Sequence, residues 1–134
     1  MRLLQHTIAA TVLVAAIACA RGGAASGEAP GPSVAVSIPD TPNERHLTNV
    51  QQITFGGENA EAYFSPDGQW ITFQSTRDGR TCDQQYVMHV NGSGVRRVSN
   101  GNGKTTCGWF LPDGKRLFFG SSHAHDSLCP PKPD

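Results

Sequence analysis

Residues 85 to 90, Gln-Tyr-Val-Met-His-Val, set Tyr86, Met88 and Val90 at alternate positions, the period of a half-buried strand. Further strand-like runs cover 60 to 64, 70 to 75, 95 to 99, 107 to 111 and 116 to 120, each bounded by Gly, Pro, Asn or Asp, and 50 to 55 reads as one more ahead of them. No segment carries convincing helical periodicity. The class expected is all-β, with four consecutive antiparallel strands over about 60 to 100 joined by turns at 66 to 68, 77 to 83 and 91 to 94. A second hairpin is expected over about 106 to 122.

The two hairpins are copies of one unit. Phe64-Ser-Pro-Asp-Gly-Gln-Trp-Ile-Thr-Phe-Gln-Ser-Thr76 aligns with Phe110-Leu-Pro-Asp-Gly-Lys-Arg-Leu-Phe-Phe-Gly-Ser-Ser122 at an offset of 46, with six of thirteen positions identical. In Pro66-Asp67-Gly68 and Pro112-Asp113-Gly114, proline presets φ for the second turn position, Asp bonds its own backbone nearby, and Gly accepts the positive φ that closes a short hairpin. Each unit is therefore a strand, a turn and a returning strand.

Gln52-Ile-Thr-Phe-Gly-Gly-Glu-Asn-Ala-Glu-Ala-Tyr-Phe-Ser-Pro-Asp-Gly68, with Ile71-Thr-Phe-Gln-Ser-Thr-Arg-Asp-Gly79, Tyr86-Val-Met-His-Val-Asn-Gly-Ser-Gly94 and Arg97-Val-Ser99, resembles the WD-repeat-like blade of TolB-type periplasmic β-propellers. The resemblance implies four-stranded meander blades and, as function, a protein-interaction scaffold whose partner is another envelope protein. The same blade occurs in propeller domains of prolyl-oligopeptidase-like serine peptidases, so the alternative is the propeller portion of such an enzyme. Residues 44 to 134 amount to about two repeats, whereas a propeller ring uses four to eight blades. The expectation is an incomplete propeller, from a chain cut short or from several copies that assemble to close the ring.

Ahead of the strands, Arg2 precedes an apolar run from Ile8 to Ala18 broken only by Thr11. Eleven residues fall well short of the ~20 that cross a bilayer, and with small residues behind them they read as an export signal over 1 to 18. Ala16-Ile17-Ala18-Cys19 resembles the lipobox of bacterial lipoproteins, which implies acylation of Cys19, and Ala20 after it implies the outer membrane. Ala18-Cys19-Ala20 also fits ordinary signal removal, which leaves a soluble periplasmic or secreted protein as the alternative. Residues 20 to 43 carry four Gly and four Pro with few large apolar side chains, a composition unable to offset its own chain entropy. They extend from Cys19 as a disordered tether of roughly 25 to 30 Å root-mean-square span, so membrane contact is expected through the lipid anchor alone.

Charge and candidate chemistry narrow the function further. Eleven Lys and Arg balance eleven Asp and Glu, and the absence of a basic excess excludes nucleic acid as a first partner. In an exported protein the cysteines beyond Cys19 are expected to form a disulfide. Cys82 with Cys107, both in loops on one propeller face, is the first expectation, and Cys107 with Cys129 the second. His123, His125, Asp126 and Cys129 are metal-capable at short spacing, but their place in a loop leading to a Pro-rich tail reads as polar surface. Gly103-Lys104-Thr105 lacks the earlier glycine of a phosphate-binding loop, since Val98 stands there. Asn91-Gly92-Ser93 is turn chemistry. Ser93, Ser121 and Ser122 lack the Gly-x-Ser-x-Gly elbow. Glu58 and Glu61 read as solvated acids. Trp70, Trp109, Tyr63, Phe64, Phe73, Phe110 and Phe119 fall on strand positions and are expected to pack between blades, with ligand stacking by Trp109 as the alternative. No cofactor, metal or catalytic group is expected.

Overall fold

The computed structural model describes residues 34–131, and the expected signal peptide, Cys19 and the tether as far as residue 33 lie outside them. Within the described residues the chain is all-β, every strand pairing is antiparallel, and the sheets hold two to four strands without closing into a barrel. No helix there is long and apolar enough to cross a membrane.

The first ladder departs from expectation. Strand β1 (Val36–Ser37) pairs with β2 (Gln51–Gln52), so part of the segment assigned to the tether is strand, and the expected strand at 50 to 55 is confined to two residues. Val34, Val36 and Ile38 occupy alternate positions, a period-two signal diluted by the Gly and Pro counted over the longer stretch. Amide bonds extend the attachment: Ile38 N donates to Val50 O at 2.9 Å, and Val34 N to Asn91 O at 3.2 Å.

The central sheet takes the order β3 (Glu58–Phe64), β4 (Trp70–Thr76), β5 (Gln84–His89) and β6 (Arg96–Arg97), the meander expected from the turns. A separate hairpin follows, β7 (Thr105–Phe110) with β8 (Leu117–Ser121). The repeat extends to individual hydrogen bonds. In the first turn Gly68 N donates to Ser65 O and Ser65 N to Trp70 O; in the second Gly114 N donates to Leu111 O and Leu111 N to Arg116 O, all at 2.8 to 2.9 Å. Gly68 and Gly114 both have the positive φ that the turn requires, 68° and 65°.

A second shared feature is absent from the motif alignment. Register shifts between Ala60 and Tyr63 in one hairpin and between Thr106 and Trp109 in the other, and Glu61 and Cys107 each take a φ of 53°. These are β-bulges at equivalent positions, and each kinks the strand that begins its unit.

The turn carboxylates are electrostatically alike. The Ser65 hydroxyl, then the Gln69 amide, hold the Asp67 carboxyl below its ordinary value of 3.8. The Lys115 amide, then the Arg116 guanidinium at 2.7 Å, do the same for Asp113. A lowered native pKa gives stability that is present above the ordinary carboxylate value and is lost as pH falls through the native one. The Asp67→Asn/Asp113→Asn double variant is therefore expected to show a shallower fall in melting temperature than the parent between about pH 5 and pH 2. Parallel slopes in thermal melts across that window would count against this account of the turns.

The two inner strands of the central sheet, β4 and β5, are buried on both sides, whereas β3 is exposed along its length. On one face Ile71, Phe73, Tyr86 and Met88 form a cluster with Ile53 against it, and the Arg77 guanidinium lies 5.3 Å from the Phe73 ring centre and 5.4 Å from that of Tyr86. The other face carries Trp70, Thr72, Gln74, Gln85, Val87 and His89, and the β7–β8 hairpin packs on it. Phe110 seats against Trp70 and Val87, with Val98 and Leu117 beside them.

Polar side chains complete the seam. Gln85 Nε2 donates to Thr72 Oγ1 at 2.6 Å, and Gln74 Oε1 accepts both the Cys107 amide and the Thr106 hydroxyl. The bulge thus presents an amide away from its own ladder, and Gln74 of the neighbouring sheet satisfies it. A Cβ at Gly108 would run into the buried Gln85 side chain.

Candidate interaction surface

The repeat gives each unit two sides. Phe64 and Phe110 are equivalent, and both adjoin their bulges, yet Phe110 is 7% exposed and Phe64 69%. The difference is the presence of a neighbour, since Phe110 lies on the central sheet and no described residue covers Phe64 to that extent. Beside Phe64 on the same face is a cavity of about 250 Å³ whose apolar wall is Ile53, Ala60, Ala62, Ile71, Phe73 and Met88. Glu61 stands at its rim and accepts the Tyr63 hydroxyl at 2.8 Å.

At the other end, β7 and β8 turn Trp109 and Phe118 outward. The cross-strand pair has ring centres 5.2 Å apart and is 45% and 58% exposed. Exposed aromatic pairs of this kind characterise binding surfaces more than solvated ones. The expectation that the aromatics pack between units holds for Trp70 and Phe110; Phe73 is buried on the opposite face of the sheet, Phe119 is half-buried, and Tyr63, Phe64 and Trp109 are exposed.

The disulfide corrects both expected pairings. Cys82 is bonded to Cys129 across a Cα separation of 5.6 Å, and Cys107 is a free, exposed thiol. Cys107 is fixed in the β7 bulge, with its amide on Gln74. The chain after β8 instead returns over the first unit, where Ser122 N donates to Lys104 O at 3.0 Å and Gly103 N donates to Ser127 O at 2.7 Å. That return brings Cys129 to the loop holding Cys82. Sequence reasoning missed the pair because it depends on the path of the chain after β8, which no local pattern gives.

Beside this disulfide lies a cleft of about 540 Å³ lined by Glu58, Thr76, Asp83 and Lys104 among others. Two of its charges are matched to each other: Asp83 accepts the Thr76 hydroxyl at 2.6 Å and pairs with Lys104 at 3.5 Å. Lys104 therefore serves the fold, and the segment after Gly103-Lys104 enters strand β7.

The remaining candidates resolve locally. His123, His125 and Asp126 are exposed on the returning tail, Cys129 is oxidised, and no metal-binding group of three such side chains occurs among the described residues. Ser121 Oγ lies 2.7 Å from His123 Nδ1 and also accepts the His123 amide at 3.3 Å, a bend closed by two neighbours in solvent. Ser93 donates to Asn91 Oδ1 at 2.7 Å, as turn chemistry requires. Pro66, Asp67 and Gly68, and Pro112, Asp113 and Gly114, sit in exposed or half-exposed hairpin turns. No protein-family model matches the chain, and no solved structure does.

Proposed function

We propose that the protein is a non-enzymatic cell-envelope scaffold, built of TolB-like propeller blades and tethered to the outer membrane through acylated Cys19, whose exposed sheet faces bind another protein. The observation that carries this reading is the repetition, at an offset of 46, of turn, bulge and register in two units stacked face to face. Stacked rigid sheets supply apolar and aromatic area without a catalytic group, and their loops vary without disturbing the ladder. The leader over 1 to 18, followed by Cys19, supplies the address.

The scaffold reading is tested by replacing Trp109 with a photo-crosslinking amino acid in the full chain in cells. A discrete adduct with a protein is expected from this position and not from exposed Lys115 in the turn; equal yields from both positions would defeat the reading. The address is tested separately with a palmitate probe. Labelling is expected in the parent and lost in Cys19→Ser, and labelling that persists in the variant removes the anchor.

A further inference from the structure

We infer that the protein occupying these faces is a second copy of the same chain, joined head to tail, with the Phe64 face of one molecule seated on the Trp109–Phe118 face of the next. The inference rests on the scaffold reading and supplies its partner. Its basis is the contact already present inside the molecule. Phe110, the partner of Phe64 in the repeat, is buried against Trp70 and Val87 on the outward face of the preceding unit. The Cys107 amide, at the bulge equivalent to Glu61, is held by Gln74 from that same face.

At the offset of 46 the outward face of the second unit presents Arg116, Phe118 and Gly120 where the first presents Trp70, Thr72 and Gln74. Phe118 stacks with Trp109, giving a broad aromatic floor in place of the Trp70 ring. The incoming face brings the exposed Phe64 and the apolar cavity walled by Ala62, Ile71 and Met88. Among the described residues the molecule thus carries the incoming half of this contact at Phe64 and an aromatic counterpart of the receiving half at Trp109 and Phe118, where Arg116 and Gly120 stand in place of Trp70 and Gln74.

Such a contact is heterologous: the patch that donates differs from the patch that receives. Repetition of one heterologous contact builds a ring when the rotation per molecule closes and an open filament when it does not. A two-fold dimer would need one patch to meet itself, and the internal contact gives no precedent for that.

The experiment uses two full-length variants, Glu61→Cys and Gly120→Cys, each also carrying Cys19→Ser and Cys107→Ser. Position 61 holds cysteine in the equivalent place of the second unit, and position 120 holds a side chain in the first, so both changes have a structural precedent. Mixed at equal concentration and mildly oxidised, they are expected to give the mixed dimer at least about tenfold over either homodimer. Homodimer in equal or greater yield overturns the head-to-tail arrangement. Sedimentation of the unmodified chain from about 1 to 200 µM is expected to show concentration-dependent species larger than a monomer, weakened in Phe64→Asp; a monomer throughout overturns self-association. Failure here while the Trp109 adduct in cells contains a different protein removes the second copy and leaves the scaffold; failure with no adduct removes both.

Discussion

Phe110→Ala is expected to lower the free energy of unfolding by about 3 to 5 kcal/mol, whereas Phe64→Ala changes it by about 0.5 kcal/mol or less in dilute solution. The residues are equivalent by sequence and differ in what lies against them. Phe110 fills the junction between the β7–β8 hairpin and the central sheet, with Trp70, Val87, Val98 and Leu117 around it. Truncation loses both the transfer energy of the ring and the contacts lining the space it leaves. Since small domains have only about 5 to 15 kcal/mol in total, the loss is a large share of the whole. Denaturant titration of the two variants provides the comparison, and hydrogen exchange should accelerate in β7 and β8 first. Equal effects of the two truncations would mean that the hairpin is not held by this junction.

Loss of the Cys82–Cys129 bond is expected to be comparable in size. The bond joins positions 47 residues apart, and the loop it removes from the unfolded chain corresponds to about 4 kcal/mol on a chain-entropy basis. Cys82→Ser, Cys129→Ser and reduction of the parent should converge on one lowered melting temperature. Cys107→Ser, which alters an exposed thiol, should stay within about 0.5 kcal/mol of the parent. Melts with and without reductant, with alkylation under nonreducing conditions, give the answer. A Cys107→Ser protein that no longer responds to reductant would restore a pairing through Cys107, with Cys82 or with Cys129.

Much of the fold was legible because it is local. Flanking turn residues located β4, and period-two alternation β5, within a residue or two. The Pro-Asp-Gly turns were readable for the same reason: three neighbouring residues contain the whole of the geometry. The bulges at Glu61 and Cys107 were not, because unlike residues occupy them and only the backbone is repeated. Extending the offset of 46 three residues ahead of Phe64 would have aligned the two positions without suggesting a kink.

Long-range features were the least legible. Pairing of Cys82 with Cys129 depends on the path of the chain after Ser121, which no periodicity encodes. The role of Gln74 depends on the approach of an amide 33 residues later. Exposure separated Phe64 from Phe110 although the motif treats them alike, and that contrast is the basis of the surface described above. Expected burial of every aromatic failed at Tyr63, Phe64 and Trp109 because burial belongs to the neighbour as much as to the residue.

The kinked opening strands also limit how anything can join this molecule. On β3 a regular ladder runs from Glu58 to Ala60 and resumes only at Tyr63, so an extended peptide laid alongside would find no more than three consecutive positions in register. Backbone zippering is thereby denied a continuous rail. At this edge recruitment proceeds broadside, through side chains, so the greasy Phe64 flank is displayed beside a strand that is a poor template for added strands.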